Sequence, residues 1–126
     1  LVTARRLYDL AMTRGWDDEH GGLVYGYAPD GSFADVHKYF WVHAEAIATA
    51  WRLYDRTGDA RYRTDYDRLW SWSWDHLVDH KHGAWYRITT REGDWVEPYK
   101  SPAGKVDYHT MGACWDVLSV MRAAGS

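Results

Sequence analysis

Apolar residues fall into four runs with helical spacing, and the runs differ in how much of the helix circumference they cover. From Val2 to Thr13, Ala4, Leu7, Tyr8 and Ala11 form one stripe while Arg5, Arg6 and Asp9 lie opposite, which predicts an amphipathic helix solvated on one side. From Tyr39 to Tyr54 the run YFWVHAEAIATAWRLY is apolar almost all the way round. A helix of that kind needs neighbours on most sides, so an inner helix is predicted. Gly58 is placed to close it in a left-handed conformation, and Asp59 to cap a third helix over 60–78. That helix carries Tyr62, Tyr66, Leu69, Trp70, Trp74 and Leu77 on one stripe, with Arg61, Arg63, Asp65, Asp67 and Arg68 facing away, an outer pattern. The fourth, about Tyr108 to Arg122, has Met111, Ala113, Cys114, Trp115, Val117, Leu118 and Val120 around most of its circumference and again reads as inner.

The order is outer, inner, outer, inner, with a long connection before each inner helix. These connections resemble one another: Asp18-Glu19-His20-Gly21-Gly22 and Asp79-His80-Lys81-His82-Gly83 set His20 and His82 62 residues apart. Each is followed by β-favouring residues and a second turn, Pro29-Asp30-Gly31 or Arg91-Glu92-Gly93, predicting a β-hairpin at one end of a helical array. A repeated helical hairpin is the unit of a solenoid or an α/α barrel. Two units cannot close a barrel. With no initiator Met and Leu1 inside a helical pattern, residues 1–126 are expected to be a partial barrel whose N-terminal part lies upstream.

Composition narrows the function. The 15 Lys and Arg are interspersed with 18 Asp and Glu for a net charge of −3, so there is no basic field for nucleic acid. No apolar run approaches the roughly 20 residues of a membrane span and no signal-peptide pattern opens the chain. The single cysteine, Cys114, has no partner within the chain, and a cytoplasmic protein is expected. Nine Trp and 10 Tyr against 2 Phe give rings with an apolar face and a polar tip, suited to sugars but equally to a bulky core.

Lys38–Trp41 and Lys105–His109 both occupy the first turn of an inner helix after a long connection, so both are expected to point into one mouth. Asp107 is placed to cap the last helix, and the helix N-terminus favours a neutral His109 able to accept a proton; the alternative is an interfacial histidine. Trp41 and Glu45 stack four residues apart. A carboxylate in so apolar a run requires a partner, either something in the cavity or Arg52, seven residues on. His43 faces elsewhere and is a weaker candidate. His76 and His80 have metal-ligand spacing, but no carboxylate or thiol completes a set. No phosphate loop, nucleophile elbow or cysteine motif is present, so neither a metal nor an organic cofactor is expected.

Three segments resemble the N-acylglucosamine 2-epimerase family of sugar isomerases and epimerases: Lys38-Tyr39-Phe40-Trp41-Val42-His43-Ala44-Glu45-Ala46, Thr57-Gly58-Asp59-Ala60-Arg61-Tyr62, and Lys105-Val106-Asp107-Tyr108-His109 through Cys114. The resemblance implies an all-α fold, the C-terminal part of an (α/α)6 barrel. It also implies proton transfer at C1 and C2 of an aldose or ketose through an enediol-type intermediate. It makes His109 one of two catalytic histidines, the other falling upstream in a Gly-His-x-x-Glu motif, and Trp41, Glu45 and Lys105 substrate contacts. Gly112 and His43 depart from residues common in the family, which leaves isomerase and epimerase both open. An α/α-barrel glycoside hydrolase, needing two cavity carboxylates, and a non-catalytic carbohydrate-binding helical repeat are the alternatives. With one histidine of the pair, the chain by itself is expected to be inactive.

Overall fold

The computed structural model describes residues 1–100, 103 and 106–124. Four helices account for most of them: α1 (Val2–Gly15), α2 (Phe40–Thr57), α3 (Ala60–His76) and α4 (Tyr108–Ala124). Gly58 ends α2 at φ +67°, and its N–H donates to the Tyr54 carbonyl at 2.8 Å. The Asp59 carboxylate then accepts the Arg61 N–H and starts α3. This two-residue link forces α2 and α3 into an antiparallel hairpin whose facing stripes, Ile47, Trp51 and Leu53 against Tyr62, Leu69 and Trp72, make the centre of the core. The α3 stripe ends at His76 rather than at 78, because Leu77 and Val78 turn to enter the next connection.

The two long connections are built alike. In each, an aspartate opens a tight turn, and one of its carboxylate oxygens accepts two successive backbone N–H groups: Asp17 those of Glu19 (3.1 Å) and His20 (3.3 Å), Asp79 those of Lys81 (2.8 Å) and His82 (3.0 Å). Lys38 pairs with Asp17 at 3.4 Å and donates to the Gly21 carbonyl. Lys100 pairs with Asp79 at 2.7 Å and donates to the Gly83 carbonyl at 2.8 Å. Lys38 and Lys100 are again 62 residues apart, so the repeat extends to the lysine that locks each turn. This corrects the pairing of Lys38 with Lys105. Lys38 is fully buried beside Asp17 and also donates to the Arg91 carbonyl, so it does not point into a mouth.

The hairpins are short. Strands β1 (Gly26–Tyr27) and β2 (Phe33–Asp35) pair antiparallel. In the second repeat β4 (Ile88–Thr89) pairs with β3 (Lys38–Tyr39) from the first, leaving its own hairpin a single Thr89–Trp95 bridge. That exchange ties the two connections together. It also supplies the N-terminus of α2, which lacks a side-chain cap: the Phe40 N–H donates to the Arg87 carbonyl at 3.0 Å, meeting one of the four donors a helix start leaves unpaired.

Burial sorts the helices differently from the prediction. Eight residues of α2 are buried, as an inner helix requires. Helix α4 has three, Thr110, Ala113 and Val117, against four in α3. Trp115 is 68% exposed and Met111 69%. Within this chain α4 packs one face against α2, so its circumferential apolarity is not matched by circumferential contact.

Candidate functional site

The packing of α4 on α2 places their N-termini side by side, and a cavity of about 530 Å³ lies there, lined by Tyr25, Tyr39, Phe40, Trp41, Arg87, Val106 and His109. Tyr25 and Tyr39 lie 4.4 Å apart between ring centroids and Trp41 meets Tyr25 edge-on at 6.0 Å, forming an aromatic wall. His109 stands across it, 5.8 Å from Trp41 and 6.0 Å from Phe40. The Asp107 carbonyl accepts the Met111 N–H at 2.9 Å and the Thr110 hydroxyl at 3.0 Å, which fixes the first turn that carries His109.

Nδ1 of His109 is 2.7 Å from Oε1 of Glu45. An ionised carboxylate only accepts, so Nδ1–H of His109 donates to Glu45 and leaves Nε2 as the ring nitrogen that can exchange a proton with a ligand. Glu45 is half-exposed and also borders an apolar cleft between α1 and α2 that shares Trp41 with the cavity. It therefore sits on the boundary between the two spaces, and its partner is His109 rather than Arg52, which binds Asp116 at 2.6 Å. The run that looked apolar all round has an exposed strip, and Glu45 lies on it. Lys105 lies outside the described residues.

His43 belongs to the interior. Its Nδ1–H donates to the Tyr39 carbonyl and its Nε2 accepts the Leu23 N–H, both at 3.0 Å. Its ring stacks on Trp72 at 4.6 Å. Burial pushes its pKa down to about 4, so it is neutral and fixes the first connection onto α2. Asp17 is held well below the usual carboxylate range: burial opposes this, but Arg91, the two turn N–H groups and Lys38 outweigh it. His76 stacks on Trp72 at 4.6 Å and His80 contacts the Trp74 carbonyl at 2.8 Å. Among the described residues no group of three or more His, Cys, Asp or Glu side chains converges as a metal site. None of their helices is long and apolar enough to cross a membrane.

Sequence reasoning missed Arg87. It occupies the repeat position of Tyr25, 62 residues on, and that correspondence was the available signal. Among the described residues that line the cavity it is the one arginine or lysine, and no carboxylate lines it. Its Nη1 donates to Glu97 Oε1 at 3.2 Å.

Helical hairpins with β-tipped connections, carrying an aromatic cavity and a carboxylate-held histidine at one end, define part of an α/α barrel. The model of the N-acylglucosamine 2-epimerase family matches residues 1–113, and the chain belongs to that family. It is 53% identical over 121 residues to a D-mannose isomerase from Marinomonas mediterranea, covering 96% of this chain and 31% of that protein. It is 36% identical to a D-mannose isomerase from Thermobifida fusca, covering 90% and 28%. A crystal structure of D-mannose isomerase superposes with a TM-score of 0.89 at 54% identity, covering 91% of this chain and 29% of that one. Cellobiose 2-epimerase from Spirochaeta thermophila superposes at 0.76 with 28% identity, covering 98% and 30%. The fold is thus that of the family's (α/α)6 barrels, and the chain spans about three-tenths of the length of these relatives.

Proposed function

We propose that this chain is part of a sugar isomerase of the D-mannose isomerase kind, interconverting an aldose and its 2-ketose by proton transfer between C2 and C1 through an enediol. The observation that carries the proposal is the Glu45-held His109 facing an aromatic wall. Nε2 takes the proton from C2 of the open-chain aldose, and the electron pair moves into the C1–C2 bond as the carbonyl oxygen gains a proton. Return of a proton to C1, with loss of the O2 proton, gives the ketose. This needs a base held over one carbon and a group that protonates the neighbouring oxygen. His109 supplies the first; the upstream histidine implied by the family resemblance supplies the second.

Trp41, Tyr25 and Tyr39 hold the sugar by its apolar face, Glu45 orients His109 and reaches a hydroxyl through its second oxygen, and Lys105 adds a polar contact. The identity to D-mannose isomerases favours isomerisation over 2-epimerisation. The chemistry calls for no metal or organic cofactor. A soluble cytoplasmic enzyme of carbohydrate metabolism with no nucleic-acid partner fits the mixed charge and the lone Cys114. The chain contributes residues 1–126 as the C-terminal part of a longer barrel and does not turn over sugar by itself.

The test is mannose–fructose interconversion by the whole protein, by its His109→Asn variant and by the 126-residue chain. The whole protein is expected to be active and to incorporate solvent deuterium at C1 or C2. The variant is expected to lose about 10²- to 10⁴-fold in kcat, and the chain to show no turnover. Undiminished activity of the variant removes His109 from the mechanism.

A further inference from the structure

The cavity holds one feature that proton transfer does not call on: a cation with its own counterion already in place. Arg87 reaches the cavity from β4's edge, and its backbone is anchored by the hydrogen bond from Phe40. Its guanidinium is only partly exposed and is engaged through Nη1 by Glu97, itself more covered than Arg87. We propose that Arg87 and Glu97 form a specificity pair, in which Arg87 donates to hydroxyls at the end of the sugar remote from C1 and Glu97 cancels its charge, so that the site takes uncharged sugars in preference to sugar phosphates. This rests on the isomerase reading of the same cavity.

The physical reasons are three. A guanidinium has five N–H donors in a rigid fork, so engagement of one by Glu97 leaves a side donating toward the cavity. Besides His109 and Val106 the cavity is walled by Tyr25, Tyr39, Phe40 and Trp41, rings that can stack on a sugar but carry no charge. An unpaired arginine in such a setting binds a phosphate dianion strongly and bidentately. With Glu97 beside it the local charge is near zero, and a phosphate approaching Arg87 also approaches a carboxylate, which repels it. Discrimination of this kind works by an unfavourable contact with the wrong ligand as much as by a favourable one with the right ligand.

The experiment measures KM and kcat for D-mannose and for D-mannose 6-phosphate with the whole protein and its Glu97→Gln, Arg87→Gln and Arg87→Lys variants, together with binding of both sugars followed by tryptophan fluorescence. Glu97→Gln is expected to improve kcat/KM for the phosphate relative to mannose by about tenfold or more, the size of a charge-assisted contact. Arg87→Gln is expected to raise KM for mannose about tenfold with a smaller change in kcat, and Arg87→Lys to recover part of it. The inference is overturned if Glu97→Gln leaves the ratio between the two sugars unchanged, or if Arg87→Gln leaves the mannose KM and binding unchanged. A loss of thermal stability with unaltered sugar preference overturns it too, since that marks a purely structural ion pair. If the unsubstituted protein isomerises no sugar, the isomerase reading fails, while the fluorescence titrations still decide whether Glu97 excludes the phosphate.

Discussion

Nδ1 of His109 and Oε1 of Glu45 lie 2.7 Å apart although 64 residues separate them in the chain. The contact joins the first turn of α4 to the second turn of α2 and dictates which ring nitrogen carries the proton. Glu45→Gln keeps an acceptor of the same shape but removes its charge. In the whole protein this change is expected to lower kcat about tenfold or more, with a smaller effect on KM, as loss of a charge-assisted hydrogen bond does. Steady-state kinetics check it, and a change confined to KM contradicts the orienting role.

The buried His43 makes stability depend on pH. Its pKa is about 4 in the fold against 6.5 as the ordinary value, so between these values the unfolded chain binds a proton that the native state refuses. Stability is therefore complete above pH 6.5 and falls as pH drops toward 4, by about 3 kcal/mol in all. Urea denaturation from pH 7.5 to 4 measures the slope. His43→Asn is expected to flatten it in this window while lowering stability at pH 7.

The two repeats supply an internal control for burial of an ion pair. The Lys38 side chain is 0% exposed and that of Lys100 25%, yet each performs the same task in its turn. Lys38→Met leaves the Gly21 and Arg91 carbonyls without their donor in the interior, although Asp17 keeps Arg91, and is expected to cost about 2–4 kcal/mol. Lys100→Met, with water at hand, is expected to cost about 1 kcal/mol or less. Equal losses in chemical denaturation contradict the role assigned to burial.

Gly22 and Ala84 occupy the same repeat position, both in the left-handed region, at φ +75° and +64°. A Cβ on Gly22 meets Trp72 ring carbons at 2.8 Å and His43 Nε2 at 3.1 Å, so Gly22→Ala must displace a packed indole and is expected to destabilise by about 2 kcal/mol or more. Ala84→Gly removes a left-handed penalty of roughly 1–2 kcal/mol and adds unfolded-state entropy worth about 0.5–1. Thermal unfolding is expected to show it neutral to slightly stabilised.

One face of α4 leaves Met111, Trp115, Leu118 and Met121 exposed, and neighbouring exposed apolar side chains of this kind favour association. The isolated chain is expected to self-associate at micromolar concentration, and Trp115→Glu to reduce that association. Sedimentation velocity of the two proteins decides.

Much of this was legible in the sequence because it is local. The Gly58–Asp59 link was readable from two residues, since a left-handed closure followed by a capping carboxylate is a matter of backbone and near neighbours. The four helices were readable from apolar spacing, and the repeat from its aspartate-to-glycine turns. That Trp41, Glu45 and His109 lie near one another was legible because helical periodicity puts them near helix starts expected to be adjacent. Tertiary structure alone decided which carboxylate meets which base. Glu45 took His109 and Arg52 took Asp116, a choice made by the packing of α2 on α4 across more than 60 residues. It also drew Lys38 into the interior as the partner of Asp17, set Arg87 in the cavity through the exchange of β3 onto β4, and left α4 covered on one face. An apolar pattern records which surfaces avoid water, but the partner that covers each surface is set by contacts between distant segments, and these have no period along the chain.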